Sequence, residues 1–175
     1  MMEISFRKLE PAAARQYRQI RLESLKNHPE SFTSTYEEQN KLPKLKLEEE
    51  IERESKDLFV VGAFDREEII GICGFIPFGL SDYLGLKNAG TIVQMYVKPA
   101  YSGRKIGLNL IRATFQEAFK ITNIDRVVLG VKEDNLRAIR VYEQAGFQLY
   151  PPEPTKNGYL IMIIHRTAAF LLTKR

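Results

Sequence analysis

The fold is decided by residues 91–119, TIVQMYVKPAYSGRKIGLNLIRATFQEAF, a stretch that predicts a strand, a glycine-bearing loop and a helix. The β-branched and aromatic residues at 91–97 are typical of a buried strand, which ends at Pro99. From Ile106 onward the apolar residues recur at helical spacing. A glycine-bearing loop before a helix N-terminus favours an anion, because the first N–H groups of a helix lack partners and carry partial positive charge. On spacing alone, residues 102–107 predict either a phosphate site or a plain glycine turn.

Outward from this unit, strands and helices alternate along the chain. Strands are predicted at residues 3–9, 58–64, 69–76, 91–97, 126–131, 147–150 and 158–165. Helices are predicted from Pro11 to His28, within residues 30–56 (one or two helices over a sheet edge), from Ile106, and from an N-cap at Asp134 or Asn135 to Gly146. Residues 77–89 are expected to be irregular. The order predicts an α/β (mixed α+β) single domain over residues 1–175, with helices on both faces of a mixed sheet.

Composition excludes several classes of protein. One cysteine, Cys73, rules out an internal disulfide, and with only two histidines beside it no metal site is expected. No apolar run approaches the roughly 18 residues that would span a bilayer, so a cytoplasmic protein without membrane contact is expected. The net charge of +4 is spread along the chain, whereas a nucleic-acid binder concentrates its basic residues, so no nucleic-acid partner is expected.

A second informative unit follows the strand at 126–131. Asn135 and Tyr142 are seven positions apart, which is two helical turns, so both side chains lie on one face of the helix. A tyrosine hydroxyl held at a cleft can donate a proton to a leaving group. Alternatively, Tyr142 packs in the core and Asn135 only caps the helix.

Neither nucleotide-binding fingerprint is present: the spacing Gly-x4-Gly-Lys-[Ser/Thr] is absent, and Gly103 and Gly107 are too few for a dinucleotide fold. Residues 95–99 (MYVKP), 101–107 and 135–147 (NLRAIRVYEQAGF) instead resemble the GNAT superfamily of N-acetyltransferases. The resemblance implies a mostly antiparallel sheet of six to seven strands, splayed at its centre between residues 91–97 and 126–131. It also implies acetyl-CoA as co-substrate and direct acyl transfer to a primary amine.

The same resemblance implies the site residues. Those assigned to acetyl-CoA are Met95, Tyr96, Val97, Ser102, Gly103, Arg104, Lys105, Ile106, Gly107, Leu108, Asn135 and Arg137. Tyr142 is assigned as the catalytic acid, and Arg21 and Gln94 as acceptor-binding residues. Two residues depart from the family pattern in the loop, because Ser102 stands where Arg or Gln is usual and Lys105 where a glycine is usual. Lys105 must then adopt a backbone conformation that glycine adopts more easily.

The general base is the gap in this assignment. Many relatives carry a glutamate where Thr91 stands here, and neither Thr91 nor Gln94 can accept the amine proton. The candidates are a water relay, which is the first choice, Glu133, and Glu37 or Glu38 of the N-terminal helices. Cys73 is expected to be a packed thiol rather than a nucleophile.

The acceptor is expected to be a small amine, amino-acid-like or polyamine-like. Arg21 is interpreted either as a ligand for an acceptor carboxylate or as part of a structural salt bridge. The alternatives are acetylation of a protein N-terminus, a catalytically silent acyl-CoA sensor and, last, a nucleic-acid-binding module. Residues 167–175 are expected to pack either on a partner subunit, giving a homodimer, or on the domain's own edge.

Overall fold

A computed structural model describes residues 3–151 and 158–172, so most of the Pro-rich loop predicted at 151–154 lies outside the described residues. The strands are β1 (Ile4–Lys8), β2 (Phe59–Asp65), β3 (Glu68–Ile76), β4 (Ala89–Val97), β5 (Arg126–Lys132), β6 (Gln148–Leu149) and β7 (Tyr159–His165). The helices are α1 (Ala14–Asn27), α2 (Tyr36–Lys41), α3 (Lys46–Glu52), α4 (Leu80–Tyr83), α5 (Ile106–Ala118), α6 (Leu136–Ala145) and α7 (Arg166–Leu172). Every predicted strand and helix is present, with small shifts at the ends.

All seven strands form one sheet in the order β1-β2-β3-β4-β5-β7-β6. Neighbouring strands run antiparallel except β4 and β5, which are parallel. Their pairing covers only the first three residues of each strand and ends at Thr91 and Val128. Beyond that point the two strands diverge, which confirms the predicted mixed sheet splayed at its centre.

Helices cover both faces of the sheet and create two separate cores. On one face α5 and α6 bury residues such as Leu110, Ile111 and Phe115 against β2 to β5 and β7. On the other face α1 and α3 bury Tyr17 and Ile51 against β2 and β3. The split between β4 and β5 therefore opens between two firmly packed layers.

Two local expectations are corrected, and one further helix is found. Residues 30–56 form two short helices, but α3 packs on the face of the sheet, where Leu47 approaches the backbone of Gly74, and does not cover an edge. Residues 77–89 are not all irregular, since they contain α4 and the start of β4. Residues 166–172 form a helix that the sequence did not indicate. None of the helices in the described ranges has the length and apolar content needed to cross a bilayer.

A β-bulge reshapes β4 at the divergence. Ile72 pairs with Tyr96 and Gly74 with Val93, so one β3 residue opposes two residues of β4. Gln94 takes the extra position with a left-handed φ of 57°. The bulge shifts the alternation of side chains, so that Met95 packs with the α5 core and Tyr96 with the α1 core.

Candidate active site

The divergence of β4 and β5 opens a cleft of about 1140 Å³. Residues 92–97 of β4 form one wall and residues 129–132 of β5 the other. The loop before α5 and the first half of α6 enclose one half of the cleft, and the chain after α1 encloses the other half. We call these the loop half and the α1 half.

The N-terminus of α5 lies in the loop half without a side-chain cap. Lys105 is the N-cap residue in a left-handed conformation, with φ 58° and ψ 12°, and its side chain caps no backbone N–H. Gly103 is also left-handed, with φ 78°. The first N–H groups of α5 therefore remain available to a ligand, and Lys105 occupies the glycine-like conformation that the sequence predicted.

Gly107 lies in the loop half where α5, β4 and α6 come together. A Cβ at this position would lie 3.5 Å from Met95 Cε and 4.0 Å from Val141 Cγ1. The first turn of α5, strand β4 and α6 therefore meet at ordinary contact distance. A larger side chain at Gly107 would extend into the space between them.

Both signature residues of α6 line the cleft. Asn135 is the N-cap of α6, and its Oδ1 accepts a hydrogen bond from Ala138 N–H at 3.1 Å. This cap occupies the carbonyl oxygen, and the amide Nδ2 donates to no side chain or backbone group in the described ranges. Arg137 lines the same half of the cleft. Helix α6 ends as predicted at Gly146, which is left-handed with φ 101°.

Tyr142 lies deeper in the cleft and is only 8% exposed. Its ring packs 6.1 Å from that of Phe147, and its hydroxyl makes no hydrogen bond to any residue in ranges 3–151 and 158–172. Burial raises the pKa of the Tyr142 hydroxyl well above its ordinary value, with a smaller contribution from Cys73. Tyr142 therefore retains its proton at physiological pH. Its ring packs in the core while its hydroxyl forms no hydrogen bond within the described ranges, so both alternatives considered from the sequence hold in part.

Cys73 is part of the core and does not line the cleft. Burial raises the pKa of its thiol to about 12, against the opposing effect of a hydrogen bond with Thr114. A thiol in this environment stays protonated and is a poor nucleophile. Cys73 is therefore a packed thiol, as expected.

In the α1 half, the buried face of α1 reaches the bulge of β4. Tyr17 donates a hydrogen bond to Gln94 Oε1 at 2.7 Å, which holds the bulge residue against α1. Arg21, one turn further along, lines the cleft with its guanidinium 4.5 Å from the Phe32 ring centroid. His28 Nδ1 lies 3.4 Å from Glu30 Oε1, and both residues line the same half.

The carboxylates proposed from the sequence as general bases do not line the cleft. Glu133, Glu37 and Glu38 all lie outside its lining, and Glu38 is engaged in the capping box of α2 with Thr35. Thr91 is structural, because its hydroxyl donates to Phe78 O at 2.7 Å and accepts from Ser81 N–H at 3.1 Å. Glu37 and Glu38 lie on α2 and Glu133 follows β5, and neither segment brings these carboxylates into the lining of the cleft.

The other predicted site residues lie around the one cleft. Those lining it are Arg21, Gln94, Met95, Tyr96, Val97, Ser102, Gly103, Lys105, Ile106, Gly107, Leu108, Asn135, Arg137 and Tyr142. Arg104 is the exception, because its exposed guanidinium lies 5.8 Å from the Tyr101 ring, beside the cleft lining. Sequence reasoning missed His28 and Lys46, which also line the cleft. His28 follows Arg21 by only seven positions, whereas no sequence signal linked Lys46 to the site.

Comparison with known proteins places this architecture in a family. Residues 17–147 match the family model "Acetyltransferase (GNAT) family". The PaiA N-acetyltransferase of Thermoplasma acidophilum, solved in complex with coenzyme A, superposes with a TM-score of 0.71 at 26% identity, over 94% of this chain and 99% of that chain.

Two curated acetyltransferases are similar to this chain in sequence over shorter stretches. Aminoglycoside N(6')-acetyltransferase type 1 of Serratia marcescens is 30% identical over 84 residues, which span 48% of this chain and 42% of the relative. Spermine/spermidine N(1)-acetyltransferase of Bacillus subtilis is 24% identical over 103 residues, or 59% of this chain and 67% of the relative. The match to the family model covers most of the domain, and the chain therefore belongs to the GNAT family of acetyltransferases.

Proposed function

We propose that this chain is an acyl-CoA-dependent N-acetyltransferase that transfers the acetyl group of acetyl-CoA directly to the primary amine of a small molecule. The single observation that carries the proposal is the continuity of the cleft. One space contains the uncapped N-terminus of α5, the diverging edge of β4, the Tyr142 hydroxyl and the polar α1 half. The curated relatives act on small amines, namely aminoglycosides and spermine or spermidine, which supports the class of acceptor.

The loop half fits the coenzyme. Backbone N–H groups from Ser102 to Leu108 would bind the pyrophosphate, and the basic side chains of Lys105 and Arg137 would add positive charge nearby. The β4 backbone at Met95 and Val97 has no β5 partner beyond Thr91 and would pair with the pantetheine arm. Bound acetyl-CoA supplies an activated thioester at the centre of the split.

The residues around the split would then carry the transfer. The Met95 N–H is assigned to stabilise negative charge developing on the carbonyl oxygen. Tyr142 donates its proton to the departing sulfur, since burial keeps the hydroxyl protonated. A primary amine with the ordinary pKa of a lysine side chain, about 10.4, is neutral in only about one molecule in a few thousand at pH 7. The acceptor amine must therefore lose a proton before it attacks.

The route of that proton is assigned to water in the α1 half. His28 lies there and is a residue type that commonly acts as a general base. A hydrogen bond from the backbone N–H of Glu30 lowers the pKa of its own carboxyl, and the contact with His28 lowers this pKa further. Glu30 therefore stays ionised and orients the imidazole instead of taking the proton.

The proposal is tested by calorimetry with coenzyme A followed by a thiol-release assay with acetyl-CoA over a panel of amines. We expect saturable binding of coenzyme A, and release of thiol that depends on an added primary amine. Binding without amine-dependent release would instead support the silent sensor, for which the absence of a carboxylate at Thr91 is the specific argument. Absence of binding at millimolar coenzyme A would contradict both.

Asn135 offers a test of the coenzyme site that separates binding from stability. Asn135→Asp retains the oxygen that caps α6 and loses the amide donor, so we expect Tm to stay within about 2 °C of the unchanged protein. The Kd for coenzyme A should rise about 10-fold, as expected for one lost hydrogen bond and an added negative charge.

Asn135→Ala is the matched variant that loses both roles. It should weaken coenzyme A to a similar extent and also destabilise the fold by about 1 kcal/mol, the usual cost of a lost N-cap. Melting curves and calorimetry on the two variants check the prediction. Unchanged coenzyme A affinity in both would leave Asn135 as a cap alone.

A further inference from the structure

The side chain of Arg21 is buried in the cleft without a counter-ion. It is 3% exposed, in the middle of the buried face of α1, and it lines the α1 half. No carboxylate lies within salt-bridge distance of its guanidinium in the described parts of the chain. The structural salt bridge considered from the sequence is therefore not formed there.

The hydrogen bonding of this guanidinium is also incomplete. Nη1 is 3.4 Å from Ser24 Oγ, which is a long contact for a charged donor. Nε is buried and has no hydrogen-bond partner among residues 3–151 and 158–172. The face of the group is covered by the Phe32 ring at 4.5 Å. Within the described part of the chain, an arginine with five donors thus makes one weak hydrogen bond and one ring contact.

Three acidic side chains on α1 and on the segments next to it have other partners. Glu48 pairs with Arg18 at 3.0 Å, Glu23 accepts from the Tyr96 hydroxyl at 2.9 Å, and Glu30 pairs with His28. Burial lowers the pKa of Arg21, with Tyr17 opposing, but an arginine keeps its charge at neutral pH. Leaving such a charge unpaired is costly, and an anion that enters the cleft would remove that cost.

A second positively charged side chain lies in the same half of the cleft as Arg21. Lys46 also lines the α1 half, with its ammonium 4.4 Å from the Phe78 ring centroid. Glu30 is the one carboxylate of the chain's described portion that lines this half. A polycation would meet two basic groups here and a single carboxylate, whose Oε1 lies 3.4 Å from His28 Nδ1.

We propose that Arg21 binds a carboxylate of the acceptor, so that the substrate is an amino acid or a similar amine bearing a carboxylate rather than a polyamine or an aminoglycoside. The proposal rests on the N-acetyltransferase function proposed above. Arg21 is a binding residue in it, and the guanidinium fork meets the carboxylate through two parallel hydrogen bonds.

The experiment compares acceptors that differ only in the carboxylate. Thiol release from acetyl-CoA is measured with the twenty α-amino acids, with their amides, and with spermidine and kanamycin. We expect kcat/KM for the best amino acid to exceed that of its amide by about 10- to 100-fold, the effect of one charge-assisted pair. An equal or better rate with the amide, spermidine or kanamycin would overturn the carboxylate site and leave the proposed function intact.

Variants of Arg21 test the residue itself. Arg21→Gln should raise KM for the amino acid about 10- to 100-fold and abolish the preference over the amide, with little change in kcat or in the Kd for coenzyme A. Arg21→Lys, which keeps the charge but loses the fork, should recover part of the preference. An unchanged KM in Arg21→Gln would overturn the assignment.

Two readouts do not depend on turnover. Calorimetry of the coenzyme A-loaded protein with the amino acids and their amides should show binding of the acid that Arg21→Gln removes, even if no amine is acetylated. In that case the proposed function would fail and the carboxylate site would stand. Arg21→Met, which removes a buried unpaired charge, should raise Tm by about 2–8 °C, whereas a fall of similar size would mean that Arg21 serves the fold.

Discussion

Replacing Tyr142 by phenylalanine is expected to lower kcat about 100-fold while the Kd for coenzyme A stays unchanged. The change removes one hydroxyl that makes no hydrogen bond within the described ranges, so the packing of the ring against Phe147 is retained. We expect the lower end of the usual range for acid catalysis, because a thiolate is a moderately good leaving group with an ordinary pKa of about 8.5. Burial raises the pKa of Tyr142, so its proton is present throughout the neutral range and the loss should not depend on pH there.

Tyr101→Phe is the matched control. Tyr101 also lines the cleft, but its hydroxyl donates to Asp65 Oδ2 at 3.1 Å and is thereby directed to the sheet surface. This variant should keep kcat within about threefold. Steady-state kinetics with acetyl-CoA and the best amine of the screen measure both effects. Full activity in Tyr142→Phe would mean that the leaving sulfur is protonated by water or by the amine proton.

The largest effect on stability is expected at Gly90, the second residue of β4. A Cβ at this position would lie 2.1 Å from Phe75 Cζ and 2.9 Å from the carbonyl oxygen of Ile76. Phe75 is fully buried and stacks on Phe59 with a centroid distance of 5.2 Å, so a shift of its ring would disturb this packing. Gly90→Ala should therefore destabilise the fold by about 3 kcal/mol, the upper part of the range for overpacking.

At this chain length, that loss corresponds to a fall in Tm of roughly 6–12 °C. Gly130→Ala is the control in the neighbouring strand β5, where a Cβ would meet nothing closer than Leu80 Cδ2 at 3.7 Å. Its Tm should change by less than about 2 °C. Calorimetric melting of both variants checks the difference, and equal melting temperatures would show that Phe75 has space to repack.

Gly90 also lies in the short section where β4 and β5 are still paired, next to the start of the cleft. It pairs with Val127 in the short parallel section that ends at Thr91, and the strands diverge immediately afterwards. The Phe75 ring packed over this glycine stabilises the last paired residues before the split. The position of the cleft thus depends on a core contact, and not only on residues that line it.

Local patterns were sufficient to predict much of the molecule from the sequence. The strand at 91–97, the loop and the helix from Ile106 were predictable because β-branched runs, glycines and helical spacing act over a few residues. The same holds for the left-handed Gly146 and for a cap at Asp134 or Asn135, of which the structure has Asn135. Even the strained backbone of Lys105 was foreseen, since the family pattern has a glycine at that position.

The α1 half of the cleft was not predictable to the same degree. Glu133, Glu37 and Glu38 were plausible bases in the sequence, but their distance from the cleft depends on how α2 and the end of β5 are placed. The bulge at Gln94 likewise depends on Cys73 of β3 and on Tyr17, which is 77 positions away in the chain.

The sequence by itself determined the order of strands and helices, the anion-binding loop and the tyrosine of α6, because each is set by side-chain spacing within one or two elements. Only the tertiary structure decided which polar groups are buried together and which are left without a partner. Arg21 illustrates the difference. Its helical spacing predicts burial, but only the assembly of α1, α3 and β4 shows that no carboxylate of the described residues pairs with it, because a charge is paired or unpaired only in three dimensions.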